Sequence, residues 1–262
     1  DLEFVYYLGK RLNPDMWEDV EDVTDFIERL RFGKQFTLAE AQEAVYMQRD
    51  VVYRKYESGG LRRDGSMGFN TPTGRIELYS TLYQQFGEDP LPYYEEPHFS
   101  PVSTPELLEE YPFIFTSGAR PFAFFHSEHR QVPYLRELNP DPIVEIHPAV
   151  AARLGIADGQ WCRVWNQFGS CVQKARITYA VDERTIHCQH AWWFPELDGS
   201  YKDEGGPYQT FRSNCNNLVP NFHFGKLGFG APFKCLLCNI EPIKESYDTD
   251  MQVIWDKYGR LV

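Results

Sequence analysis

Between Gly87 and Pro105 the chain carries prolines at positions 90, 92, 97, 101 and 105. Each proline locks its own φ and removes a backbone donor, so the stretch can form neither a helix nor a central strand. It reads as an extended connector and marks the boundary between a helical part and a β-rich part.

Upstream, the apolar residues recur at helical spacing. Val20, Val23, Phe26, Ile27 and Leu30 form an amphipathic stripe that ends near Gly33. The acidic run Glu18-Asp19, Glu21-Asp22 is expected on the solvated face of that helix. Thr37 with Glu40 has the form of a capping box, starting a helix from Leu38 to about Met47. Residues 58–68 are loop by composition, and Thr71-Pro72-Thr73-Gly74 is a tight turn.

Downstream, from 111 to 240, short β-type runs alternate with turns. The candidates are 113–116, 143–147, 161–166, 170–178 and 185–189, with a helix from Ala149 to Leu154 stopped by Gly155. This spacing suits a small closed barrel with one inserted helix. The composition agrees: aromatics are 16%, with 18 prolines and 19 glycines, while 42% hydrophobic and 24% charged residues support a packed core.

The net charge of −12 lacks the basic face that nucleic-acid binding needs, although a local basic cluster can still hold a small anion. No apolar run is long enough for a membrane span. The chain opens at Asp1-Leu2-Glu3-Phe4 without an initiator methionine, as a fragment or processed chain would, so its localisation is left open. Six cysteines are scattered, and only Cys235 and Cys238 form a CxxC. Without a second ligand pair nearby they read as buried thiols of a reduced protein.

The chemistry concentrates after Tyr111. Phe113-Ile114-Phe115 breaks into Thr116-Ser117-Gly118, where a strand end can bring backbone N–H groups close to an anion. Arg120, His126, Ser127, His129 and Arg130 follow among phenylalanines. Neither GxGxxG nor GxxxxGK occurs.

Phe69-Asn70-Thr71-Pro72-Thr73-Gly74-Arg75-Ile76-Glu77 resembles the F-x-T-P-S-G-K-x-E segment of molybdopterin oxidoreductases of the dimethyl sulfoxide reductase superfamily. The stretch from Tyr111 through Gly159 resembles the start of that family's C-terminal dinucleotide-binding domain. Trp192-Trp193, Asn216-Asn217, and Gly228-Phe229-Gly230 with Lys234 fall where its later cofactor segments fall. The FHSEHRQ run is more similar to the acetylene hydratase, transhydroxylase and anaerobic dehydrogenase branches than to nitrate reductases.

The resemblance implies a mainly β fold: a six-stranded double-psi β-barrel with short helices, preceded by a helical segment. It divides the chain into a helical segment of an upstream catalytic domain (1–60), a loop and proline-rich connector (61–110), and the barrel (111–262). The implied cofactor is molybdopterin guanine dinucleotide carrying molybdenum or tungsten. An Fe–S cluster would lie only on an upstream part, and the implied partners are upstream domains and an Fe–S electron-transfer subunit. Nothing before residue 60 supplies a metal ligand or cluster motif, so the chain reads as one wall of the site and not as a catalyst alone. The competing reading is a stand-alone β-barrel interaction module without pterin.

Such a cofactor needs backbone donors, hydroxyls, cations and amides, with aromatics for stacking. Thr116, Ser117, Gly118 and Arg120 are the candidates for the first strand-to-loop contact, against a plain Ser-Gly turn. His126, Ser127 and Arg130 match the family's H-S position, against hydrogen bonding internal to the barrel. His147 either caps the helix at Pro148 or reaches the ligand. His190 is preferred to the neighbouring tryptophans, which are usually core. Asn216 and Asn217 can present donor and acceptor together, as a pterin does, or form a turn. Lys234 is either a cation for the phosphates or an ordinary surface lysine.

Overall fold

The computed structural model describes residues 1–32, 36–46, 51–118, 121–196, 210–222, 230 and 234–259. The chain divides into two compact units, Asp1–Phe86 and Gly87–Val262.

In the first unit, helices α1 (Leu2–Leu12), α2 (Val23–Phe32) and α3 (Leu38–Ala44) precede a long irregular stretch and the short α4 (Thr81–Gln85). Tyr6 is buried and meets Trp17 edge-on at 5.7 Å, while Trp17 meets Phe26 at 5.0 Å. The capping box forms as expected: the Thr37 hydroxyl accepts from the Glu40 N–H, and the Glu40 carboxylate accepts from the Thr37 N–H. The acidic run lies ahead of α2, not along its face. Asp22 accepts from the Asp25 N–H, and Asp19 and Asp25 both hold Arg29. The turn ending at Gly74 closes through its N–H on the Thr71 carbonyl, with Gly74 at φ +71°.

In the second unit the six strands are β1 (Phe113–Ser117), β2 (Ile143–Ile146), β3 (Trp161–Asn166), β4 (Gly169–Ile177), β5 (Thr185–Cys188) and β6 (Leu236–Pro242). They close into a barrel in the order β1-β5-β2-β4-β3-β6, with β1–β5 and β2–β4 parallel and the other pairs antiparallel. This is a six-stranded double-psi barrel with a few short helices. Alternation along each strand puts Phe113, Phe115, Val144, Ile146, Val164, Ile186 and Leu236 into one core. Each such side chain contributes about 1.5–3 kcal/mol by leaving water.

Cys162, Cys171, Cys188, Cys215 and Cys238 are buried in the same core as free thiols. Burial pushes the Cys162 and Cys215 thiols up to about 12, so neither offers a thiolate. Among the described residues the unit also holds three α-helices, α5 (Pro133–Leu138), α6 (Pro148–Leu154) and α7 (Met251–Tyr258). None of the helices among the described residues is long and apolar enough to cross a membrane.

Candidate functional site

Strand register gives the barrel two unlike ends. β5 runs parallel to β1, and its Cys188 lies opposite Ser117, so both strands finish at the same end. β6 runs antiparallel to β1, so Lys234 and Cys235, just before it, arrive there too. β2 begins at this end, because the Gln189 N–H reaches the Ile143 carbonyl at 2.9 Å. It therefore finishes at the far end, where α6 packs.

That far end is closed and regular. His147 accepts the Ala149 N–H at 3.2 Å and caps α6, Pro148 takes the first turn, and Gly155 at φ +67° terminates it. His147 also meets Tyr179 edge-on at 5.3 Å. The structure thus separates His147 from the other candidates and gives it the local role of a cap.

At the near end, three segments surround a cavity of about 750 Å³: 127–131, 191–193 and 211–216. The size suits a large organic ligand. Trp193 and Phe211 stack at 6.3 Å along its wall, and Asn214 and Asn216 place amides in it. The Trp193 indole N–H is fixed on the Ser127 carbonyl at 3.1 Å. His126 Nδ1 and His190 Nε2 lie 3.3 Å apart, linking the first two segments.

His126, His129 and Ala191 adopt positive φ of 52°, 74° and 57°. Such backbone is strained in non-glycine residues and persists where surrounding contacts enforce it.

One of those contacts is Arg130. It is fully buried, donates from Nη1 to the His126 carbonyl at 2.8 Å, and lies over the rings of Trp192 at 4.6 Å and Phe124 at 5.0 Å. Burial, with Arg136 nearby adding to it, holds its pKa down at about 10.

The Thr116–Gly118 strand end differs from the bare anion cradle its sequence suggests. Gly118 donates its N–H to the Cys188 carbonyl at 3.1 Å, continuing the parallel ladder. The Ser117 carbonyl instead receives Lys234 Nζ at 2.6 Å, and the Ser117 side chain is buried. A Cβ on Gly118 would fall 1.6 Å from His187 Nε2, so only glycine fits over that ring. Half-buried His187 stands between Thr116 on β1 and Glu145 on β2. Its pKa is lowered, chiefly by burial and further by Lys234, with Glu145 opposing.

Asn217 fastens the β3–β4 turn, donating to the Ser170 and Phe211 carbonyls at 3.2 Å each. Asn216 faces the cavity. Arg120 lies outside the described residues, as do Gly228 and Phe229. Thus Ser117, Gly118, His126, Ser127, Arg130, His190, Asn216, Asn217 and Lys234 gather at one end of the barrel, with Thr116 beside them on β1.

Asn214, His129 and His187 belong with them but were not singled out as site residues. His129 at least stands in the same polar run. His187 could be found only by knowing which strands pair.

A closed barrel with one capped end and one end of donors, amides and stacked rings offers a site suited to a flat polar ligand. Residues 113–234 match the family described as the molydopterin dinucleotide binding domain. The chain is 35% identical over 192 residues to the dopamine dehydroxylase of Eggerthella lenta, which spans 65% of this chain and 18% of that protein. It is 39% identical over 145 residues to the acetylene hydratase of Syntrophotalea acetylenica, spanning 55% of this chain and 19% of that protein. The solved structure of acetylene hydratase from Pelobacter acetylenicus superposes with a TM-score of 0.73 at 27% identity, over 91% of this chain and 32% of that one.

Residues 113–234 are therefore a molydopterin dinucleotide binding domain, homologous to that of molybdopterin oxidoreductases such as acetylene hydratase. It spans about a fifth of the length of the curated relatives it matches. The near end fits a pterin dinucleotide: the stacked rings suit a flat heterocycle, the amides its edge, and the buried guanidinium an anion.

Proposed function

We propose that this chain forms one wall of the site for a molybdopterin guanine dinucleotide within a molybdenum or tungsten oxidoreductase. The cavity between 127–131, 191–193 and 211–216 carries the reading, because it joins a stacking wall to amides. Trp193 and Phe211 would face a ring of the ligand. Asn214 and Asn216 would read its edge, while Ser127, His126 and His190 set the rim. Lys234, and Arg120 on sequence grounds, would supply positive charge near Ser117, with Thr116, Gly118 and Asn217 shaping the backbone around them. When bound, the cofactor's metal supplies oxygen-atom or electron transfer.

Buried thiols with raised pKa make poor metal ligands, so the metal's protein ligand would come from elsewhere in the enzyme. Residues 1–60 would belong to an upstream catalytic domain, joined through 61–110 to the barrel at 111–262. Any Fe–S cluster, electron-transfer subunit and substrate pocket would lie outside this chain, which would not turn over alone. The likeness to acetylene hydratase and dopamine dehydroxylase favours that branch of the superfamily.

Calorimetric titration of the cofactor-free protein with guanosine diphosphate tests the reading. Binding in the micromolar to millimolar range, weakened about tenfold by Asn216→Ala, is expected. The match to the dinucleotide binding domain sets aside a pterin-free interaction module, and no heat at millimolar ligand in a folded sample would overturn the proposed role of this cavity.

A further inference from the structure

Two guanidiniums lie under the near end of the barrel, and both are fully buried. Both approach the ring of Trp192, Arg130 at 4.6 Å and Arg136 at 4.9 Å. Their surroundings differ sharply. Arg136 donates from Nε to the Pro140 carbonyl at 2.7 Å and from Nη1 to the Arg130 carbonyl at 3.3 Å. Its Nη2 reaches both the Glu196 carboxylate and the Thr249 hydroxyl at 2.8 Å. Among the described residues Arg130 has one acceptor, the His126 carbonyl. Its Nε and Nη2 are buried without a hydrogen-bond partner among the described residues, and so is the Trp192 indole N–H.

A buried charge missing a counterion costs several kcal/mol, and a group of donors without an acceptor is not a self-sufficient core. Phe124 and Trp192 offer only ring faces, which compensate a guanidinium weakly. An acceptor bearing negative charge would satisfy the Nε and Nη2 donors that have no partner among the described residues. Arg130 sits directly behind the cavity wall, between the lining residues His129 and Gln131 and beneath Trp192. The positive φ at His126, His129 and Ala191 falls in the two segments that cover it.

We infer that Arg130 is the receptor for a phosphate oxygen of the bound dinucleotide, sheltered behind the cavity wall until the ligand arrives. The inference rests on the proposed cofactor reading and adds which group of the ligand this side chain takes. The fork geometry of a guanidinium suits two phosphate oxygens, and Nε and Nη2 are the pair it would use.

The test titrates cofactor-free protein with inorganic pyrophosphate, guanosine diphosphate and guanosine in wild type, Arg130→Met and Arg130→Lys. Arg130→Met is expected to lose about 10- to 100-fold in affinity for pyrophosphate and the diphosphate, with guanosine unchanged. Arg130→Lys keeps the charge without the fork and should fall between. With no carboxylate partner for Arg130 among the described residues, the melting temperature of Arg130→Met should fall far less than that of Arg136→Met.

Wild-type affinity for pyrophosphate in Arg130→Met would overturn the inference while leaving the cofactor reading standing. So would a drop in melting temperature as large as that of Arg136→Met, which would mark Arg130 as a structural cation like its neighbour. Should Arg130→Met fail to fold, equal pyrophosphate affinity in Arg130→Lys and wild type would count against the fork in the same way. Failure of wild type to bind any of the three probes would remove the cofactor reading itself.

Discussion

The two ends of the barrel are built to different standards. At the α6 end the groups find regular partners: His147 caps, Gly155 terminates, Asp158 accepts the Ile177 N–H and Ile146 accepts the Thr178 N–H. At the other end sit strained φ angles and, among the described residues, a cation with one acceptor and polar atoms on Trp192 and Ser213 without a partner. Local rules are broken where a structure keeps something in reserve. One end of the same sheet secures the fold, and the other gives up some of that security for a ligand.

The largest expected effect tests whether the ligand end has any structural cation. Arg136→Met strands Glu196 and removes four hydrogen bonds, so urea unfolding should show a loss of about 3–5 kcal/mol. A loss under 1 kcal/mol would erase the distinction between the two arginines.

Gly118→Ala drives a methyl into His187 and should cost about 1–3 kcal/mol in the same measurement. The double variant Gly118→Ala, His187→Ala should recover part of it, whereas simple additivity would rule out the close approach.

His147→Ala removes a helix cap and should cost about 1 kcal/mol while leaving guanosine diphosphate affinity at the wild-type value. Weakened binding would break the contrast between the ends, because it would bring ligand chemistry to the closed one.

The smallest effect is the pH response of His187. Its pKa in the folded chain lies below the ordinary 6.5, so the unfolded chain takes up the proton first. The stability it contributes is present above about pH 6.5 and is lost as pH falls through its lower folded value. Melting curves between pH 7.5 and 5 should therefore fall more steeply in wild type than in His187→Gln, and parallel curves would show the ring to be solvated.

The strands of the barrel were readable because short aromatic and β-branched runs bounded by turn residues stand out in 113–117, 161–166 and 185–188. β6 hid because Leu236-Leu237-Cys238 is apolar without a period, as a strand buried on both faces must be. α7 hid because only Ile254 of its eight residues is buried, leaving little stripe in a charged tail.

The site divided along another line. The polar run 126–130 stands out locally, so His126, Ser127 and Arg130 were visible as a group. What distinguishes Arg130 from Arg136 was not, since the partners of Arg136 Nη2 lie 60 and 113 residues further on. His187 meets Gly118 only through a parallel pairing of distant strands, and no local pattern encodes that.

Ring closure also has a cost in time. β1 pairs with β5 and β6, and β6 is completed at Pro242, more than a hundred residues after β1. At roughly 5–20 residues per second, a ribosome needs on the order of ten seconds to deliver it. Through that interval Phe113-Ile114-Phe115 waits as a nascent apolar strand with both edges open. Slowing translation between β1 and β6 should therefore lower the soluble yield far more than the same delay placed after Pro242.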